Sequence, residues 1–252
     1  MILSLLFMQN AGGFDMNKFL NLSEELHRYD RLVRKIRNLG QAKASRDFHV
    51  FDIRFKLALG LHISFDSTIS YTKTKSTRMT YKSLMELTEL WFAYEALYAW
   101  CKRWGLLKPS GHMANPFSKE TIATLGLEGI STLIEEAYKK HIICSAKRRD
   151  DFCSYIEHLS FSVKTSKPQK ARLSELRESV LTLEAPSMTL WLTLIYAIRN
   201  MHVHEADTAK SGVAYYSTKF AVLLASKDIM TAYLFAISRK LLNYEIKNLS
   251  HN

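Results

Sequence analysis

Late in the chain an apolar run, Ile195-Tyr196-Ala197-Ile198, ends in Arg199-Asn200-Met201-His202-Val203-His204-Glu205. An arginine, an amide and two imidazoles stand together where a helix-like pattern stops. Asn200 and His204 are four apart and share a helical face. Arg199 lies roughly 140° around from His204 and must reach it with its long side chain. It also lies three residues from His202, on that residue's side of the helix. These groups suit cleavage of an RNA phosphodiester by its own 2′-OH. That reaction needs a proton taken from the 2′-OH, one given to the leaving 5′-oxygen, and stabilisation of charge on the pentavalent phosphate. Histidine is the side chain that titrates nearest neutrality. Arginine offers a permanent, forked donor to phosphate oxygens, and asparagine can orient either. One His204 per chain leaves a second proton-transfer group wanting. A second copy meeting the first around a two-fold axis would supply it, with His202 as the other source.

The elements that must position this cluster read as helices. The run into Arg199 follows an interruption at Pro186-Ser187. Upstream, Leu84, Leu87, Leu90, Trp91, Tyr94, Leu97, Tyr98 and Cys101 form a broad apolar stripe from Thr80 to Gly105. Glu95 is a lone charge within that stripe, and a carboxylate among large apolar groups needs a cationic or hydrogen-bonding partner. Ser23-Glu24-Glu25 caps a helix near 23–39 whose other face carries Arg28, Arg31, Arg34, Lys35 and Arg37. Residues 47–64 fit a strand and a helix equally, because apolar residues fall at both spacings. Asp66 to Thr80, rich in Ser, Thr and Lys, reads as a connection. The spacing therefore predicts an N-terminal accessory region over 1–78 and a helical domain over 79–250. Lys139, Lys140, Lys147, Arg148 and Arg149 form a basic cluster near Tyr138, suited to an RNA backbone or to a solvated helix end. Apolar positions continue from Gly212 almost to Leu249, with a cap or kink expected at Ser226-Lys227-Asp228. The sum is an all-α bundle of six to eight helices.

Composition agrees and narrows the function classes. In 252 residues, nine Gly and four Pro are too few for an all-β fold built on tight turns. Lys and Arg exceed Asp and Glu by 11, which favours a polyanionic partner. The three cysteines, Cys101, Cys144 and Cys153, show no metal-ligand spacing and no disulfide framework. There is no Gly-rich phosphate loop, so neither metal nor cofactor is expected. The apolar start Met1–Met8 lacks a basic region before it and is too short to span a bilayer, and translation from Met16 is an alternative start. With no membrane-length apolar run evident, a cytoplasmic protein is expected.

Arg199-Asn200-Met201-His202-Val203-His204 resembles the Arg-Asn-x-x-x-His motif of the HEPN superfamily, the higher-eukaryote and prokaryote nucleotide-binding helical domains. Trp91-Phe92-Ala93-Tyr94-Glu95-Ala96-Leu97 is similar to the first core helix of such domains, where an acidic residue often faces the motif. The resemblance covers residues 80 to 245. It implies a helical bundle that dimerises and cleaves RNA without metal, in a toxin or antiviral defence role, with an antitoxin or regulatory protein as partner. By the same resemblance Arg199 and His204 are the catalytic pair, Asn200 supports them, and Glu95 orients Arg199. The toxins paired with a nucleotidyltransferase antitoxin usually carry Tyr two residues after the His, where this chain has Ala206. The alternative is a catalytically inactive HEPN-like scaffold that binds RNA or protein, in which Arg199 and Glu95 form a structural ion pair.

Overall fold

The structure, a computed structural model, describes residues 22–40, 44–65, 74–109, 111–127, 129–162, 165–205, 208–209 and 211–251. Among these the protein is all-α, with nine helices and no strand. The helices are α1 (Leu22–Gly40), α2 (Arg46–Gly60), α3 (Lys75–Arg103), α4 (Lys119–Leu125), α5 (Gly129–His141), α6 (Ala146–Ser160), α7 (Lys167–Leu181), α8 (Met188–Glu205) and α9 (Tyr216–His251). The expected range of six to eight is exceeded by one. The apolar start Met1–Met8, Met16, most of the connection after Asp66, and the turn residues Ala206 and Asp207 lie outside the described residues.

Two helices organise the bundle. α3 packs along α2, α8 and α9, while α9 also meets α1, α4, α5 and α6. The core is one contiguous cluster, running from Tyr29 on α1 to Leu249 on α9. α9 is long and apolar enough by composition to cross a membrane, which the sequence reading did not pick out. In the bundle 72% of its most apolar window is buried.

The undecided segment 47–64 is helical as far as Gly60, forming α2, and is outside any helix from Leu61 to Ser64. Phe48, Phe51, Phe55 and Ala58 recur at helical spacing and are buried, and Ser45 caps the first turn by accepting from the Phe48 amide at 3.2 Å. Val50, Ile53 and Leu57 occupy the outer face and remain exposed. Apolar residues on both faces are what made the periodicity ambiguous. Tyr29 joins α1 to α2 by donating to Asp52 at 2.8 Å, and its ring meets Phe55 and Phe235 edge-on.

The kink expected at Ser226-Lys227-Asp228 does not occur, since α9 runs unbroken through it. These polar residues have tertiary roles instead: Lys227 pairs with Glu86 of α3, and Ser226 is fully buried. Burial pushes the Asp228 carboxyl up to about 7, against the opposing pull of Lys227 and Lys140. An unfolded chain loses that proton near 3.8, so between the two values the folded state holds more protons and this contribution to stability falls as pH rises. Asp228→Asn is expected to stabilise the fold at pH 8 by on the order of 2 kcal/mol after allowance for partial solvent access, and to change nothing at pH 3. Urea unfolding at the two pH values checks this; an equal effect at both would contradict it.

The described part of the connection between α8 and α9, residues 208–209 and 211–215, is clamped rather than loose. Asp151 of α6 accepts from the backbone amides of Ala214 and Tyr215 at 2.7 and 3.2 Å. Lys219, fully buried, donates to the carbonyls of Thr208 and Ser211 and lies over the Tyr155 ring. Gly212 has φ +76°, and a Cβ there would come within 2.3 Å of the His158 ring. Gly212→Ala is therefore expected to cost about 2 kcal/mol or more, from a left-handed backbone and a clash together. Its thermal unfolding midpoint should fall by several degrees, and an unchanged midpoint would mean that this connection does not hold the helix ends.

Candidate functional site

α8 is apolar on almost every side through its first three turns. Leu190, Trp191, Leu192, Leu194, Ile195, Ala197 and Ile198 are all buried as it runs among α3, α6 and α7. Apart from Thr189 and Thr193, the polar residues begin only where the helix emerges, so the candidate groups appear together at its C-terminal end. Imidazoles in a last turn are also favoured there by the helix dipole.

Arg199 is the centre of the group. Its Nη1 donates to Asn200 Oδ1 at 3.1 Å and lies 3.2 Å from His204 Nε2. A guanidinium has no lone pair to offer, so His204 accepts in this contact and carries its own N–H on Nδ1. The long side chain does span the angular gap around the helix. Asn200 is 6% exposed, and its position fixes one end of the fork. His204 is exposed and open to a ligand.

α3 supplies the other wall. Glu95 Oε1 accepts from the Trp91 indole nitrogen at 2.8 Å, one turn away on the same helix, and lies 4.0 Å from Arg199 Nη2. The indole thus holds the carboxylate while Arg199 contacts it only at the limit of an ion pair. The Arg199 Cζ sits 5.3 Å from the centre of the Phe92 ring, and Arg54 of α2 sits 5.6 Å from the same ring. One aromatic residue therefore carries two guanidiniums, an arrangement that holds positive charge without neutralising it.

His202 is placed apart from the Arg199 fork. It lines a cleft of about 210 Å³ with Met85, Glu89, Phe92 and Val203, so Phe92 is the wall shared by the two regions. The basic cluster is built on the end of α5 and the start of α6. Lys139 pairs with Glu135 at 2.5 Å, Lys147 lies 3.7 Å over the Tyr215 ring, and Arg148 donates to the His141 carbonyl at 3.3 Å. Lys140 is exposed and Arg149 half-buried on the same surface. Burial, with Lys140 and Arg148 nearby, pushes His141 down to about 4, so it stays neutral among these cations.

Arg54, Phe92 and Tyr196 were not singled out from sequence. Tyr196 packs against Trp91 with ring centres 5.3 Å apart, one turn before Arg199 on α8. Spacing could have flagged Phe92, which stands three residues before Glu95, and Tyr196, three before Arg199. Nothing local points to Arg54, which reaches the site only because α2 packs on α3. Among the described residues, no three His, Cys, Asp or Glu side chains gather as a metal-binding group. Compared with protein-family models, curated proteins and solved structures, the chain matches none of them.

Proposed function

We propose that the protein is a metal-independent endoribonuclease of HEPN-like design, acting as a homodimer with a composite site. The observation that carries this is the Arg199 fork, held against Asn200 and His204 at the exposed end of α8. In the proposed reaction, one His204 takes the proton of the RNA 2′-OH as that oxygen forms a bond to phosphorus. The bond from phosphorus to the 5′-oxygen breaks, and the second copy's His204, protonated and therefore turned away from its Arg199, gives its proton to that leaving oxygen. The products are a 2′,3′-cyclic phosphate and a 5′-hydroxyl. Arg199 stabilises charge on the phosphate, Asn200 holds it, and Glu95, tied to Trp91, limits its travel.

Two further observations support RNA and a second copy as the partners. Lys147, Arg148 and Arg149 sit in the first turn of α6, where the helix dipole disfavours cations. A basic surface kept against that preference fits a polyanion. Met85 and Val203 are exposed beside His202, and Val50, Ile53 and Leu57 line the outer face of α2 next to Arg54. This apolar edge fits a subunit contact next to the motif. A role in toxicity or antiviral defence, in the cytoplasm and under an antitoxin or regulatory protein, belongs to the same proposal.

The second reading, an inactive scaffold, draws on the Arg199–Glu95 pair. At 4.0 Å, with Glu95 already bonded to Trp91, that pair is too loose to occupy Arg199 fully. The deciding test is an RNA pool incubated in EDTA with wild-type protein, Arg199→Ala and His204→Ala. Fragments from the wild type alone are expected; identical fragments from all three, or none from any, would sink the nuclease reading.

A further inference from the structure

One turn before Arg199 along α8 lies a second cleft, of about 370 Å³, within the size range of small-molecule sites. Tyr196 forms its near end, and Arg172, Gln169 and Ser166 of α7 and His112 of the α3–α4 connection line the rest. Nothing in the site described above uses these groups.

Two features of the cleft want a ligand. Gln169 is only 6% exposed, and its side-chain amide nitrogen has no hydrogen-bond partner, a state that costs about 1–3 kcal/mol. The second is His112. Its Nδ1 faces the Ala114 amide at 3.2 Å, and its Nε2 faces Arg172 Nη2 at 2.5 Å. Both neighbours are donors, and a neutral imidazole has one accepting nitrogen, so one contact sets N–H against N–H. An anion that draws Arg172 and His112 apart would accept from both and relieve the conflict. Burial, then Arg172 and Lys108, pull the His112 pKa down, consistent with local positive charge that lacks a counter-charge.

The cleft neighbours the candidate catalytic group through Tyr196. Tyr196 packs on Trp91, which holds Glu95, and Arg199 follows three residues later on the same helix. Along the helix axis Arg199 lies about 4.5 Å and His204 about 12 Å beyond Tyr196, a spacing suited to neighbouring nucleotides. We propose that this cleft is a nucleotide subsite for the RNA strand next to the cleaved bond: Arg172 and His112 bind a phosphate, Tyr196 offers its ring to a base, and Gln169 donates to that nucleotide. This rests on the nuclease reading for its substrate, but its residues are separate from the cleaving ones.

The test uses full-length Gln169→Leu and Arg172→Ala in two assays. In the first, each change is combined with His204→Ala, and binding of a short single-stranded RNA is followed by fluorescence anisotropy across a salt series. Arg172→Ala should weaken binding about tenfold and lower the salt slope by about one phosphate contact. Gln169→Leu should weaken binding several-fold without lowering the thermal midpoint, because it removes a buried donor that has no partner. That combination separates a ligand-binding role from a structural one, which would reduce stability. In the second assay, with His204 intact, both variants should raise KM and leave kcat within about twofold. Wild-type affinity and KM in both variants would overturn the subsite while leaving the nuclease reading intact. If the wild type binds RNA through Arg172 but cuts nothing, the nuclease reading falls and the nucleotide cleft stands. A loss of binding in Gln169→Leu accompanied by a lower midpoint would count against it.

Discussion

His204→Ala is expected to lower kcat for RNA cleavage by about 10³-fold, with KM changed less than threefold. A single general acid or base contributes roughly 10²–10⁴-fold. In a two-fold symmetric site the substitution removes both proton-transfer groups at once, so the loss is expected to be no smaller than the middle of that range. The side chain is exposed at the end of α8 and, among the described residues, its one hydrogen bond is to Arg199. The variant should therefore fold normally, and its thermal midpoint should stay within a degree or two of the wild type. Arg199→Lys is the informative companion. Lysine keeps the charge but ends short of the position of Nη1, from which both Asn200 and His204 are reached, and has no planar face to lay on Phe92, so an intermediate loss is expected. Initial rates on a defined RNA oligonucleotide check both. Equal losses in Arg199→Lys and Arg199→Ala would mean that positive charge alone contributes nothing without the guanidinium; no loss in His204→Ala would remove it from the chemistry.

The second large effect is on stability. Glu245 of α9 is 1% exposed and accepts from the Trp100 indole at 2.9 Å and from the Ser45 hydroxyl. Ser45 is also the cap of α2, so one carboxylate ties α2, α3 and α9 together. Glu245→Ala leaves two buried donors without an acceptor and opens a cavity among aromatic residues. A loss of about 3–5 kcal/mol is expected, or roughly 6–15 °C in Tm for a chain of this size. Glu245→Gln keeps an accepting oxygen and avoids burying a charge, so it should cost under about 1 kcal/mol. Thermal and urea unfolding distinguish the two. Similar losses in both variants would show that negative charge, not an acceptor, is what Trp100 and Ser45 require.

The contrast between these two sites explains how much could be read from sequence. Arg199, Asn200 and His204 lie on one helix, where spacing alone implies proximity, and Glu95 was legible as a lone charge in an apolar stripe. The Trp100–Glu245–Ser45 knot joins residues 200 positions apart, and no local pattern encodes it. Arg54 is hidden for the same reason. Its helix was also ambiguous, because Val50, Ile53 and Leu57 make the outer face of α2 as apolar as a strand pattern requires. Ser226-Lys227-Asp228 misled in the opposite way. Polar residues that looked like a break are kept inside α9 by a partner on α3. The cleft at Gln169 and Arg172 depends on the α3–α4 connection folding back toward α7. His112 and Arg172 are 60 residues apart, and only packing brings them together.

The most direct test of the central claim is the chemistry of the cut ends. Wild-type protein would be incubated in EDTA with an RNA oligonucleotide and with a matched oligonucleotide carrying 2′-deoxyribose at the cleaved position. Attack by the 2′-OH gives 2′,3′-cyclic phosphate and 5′-hydroxyl ends from the first and no cleavage at that position in the second. Cleavage of the deoxy substrate at the same bond, or ends bearing a 5′-phosphate, would contradict attack by the 2′-OH and with it the role assigned to Arg199 and His204.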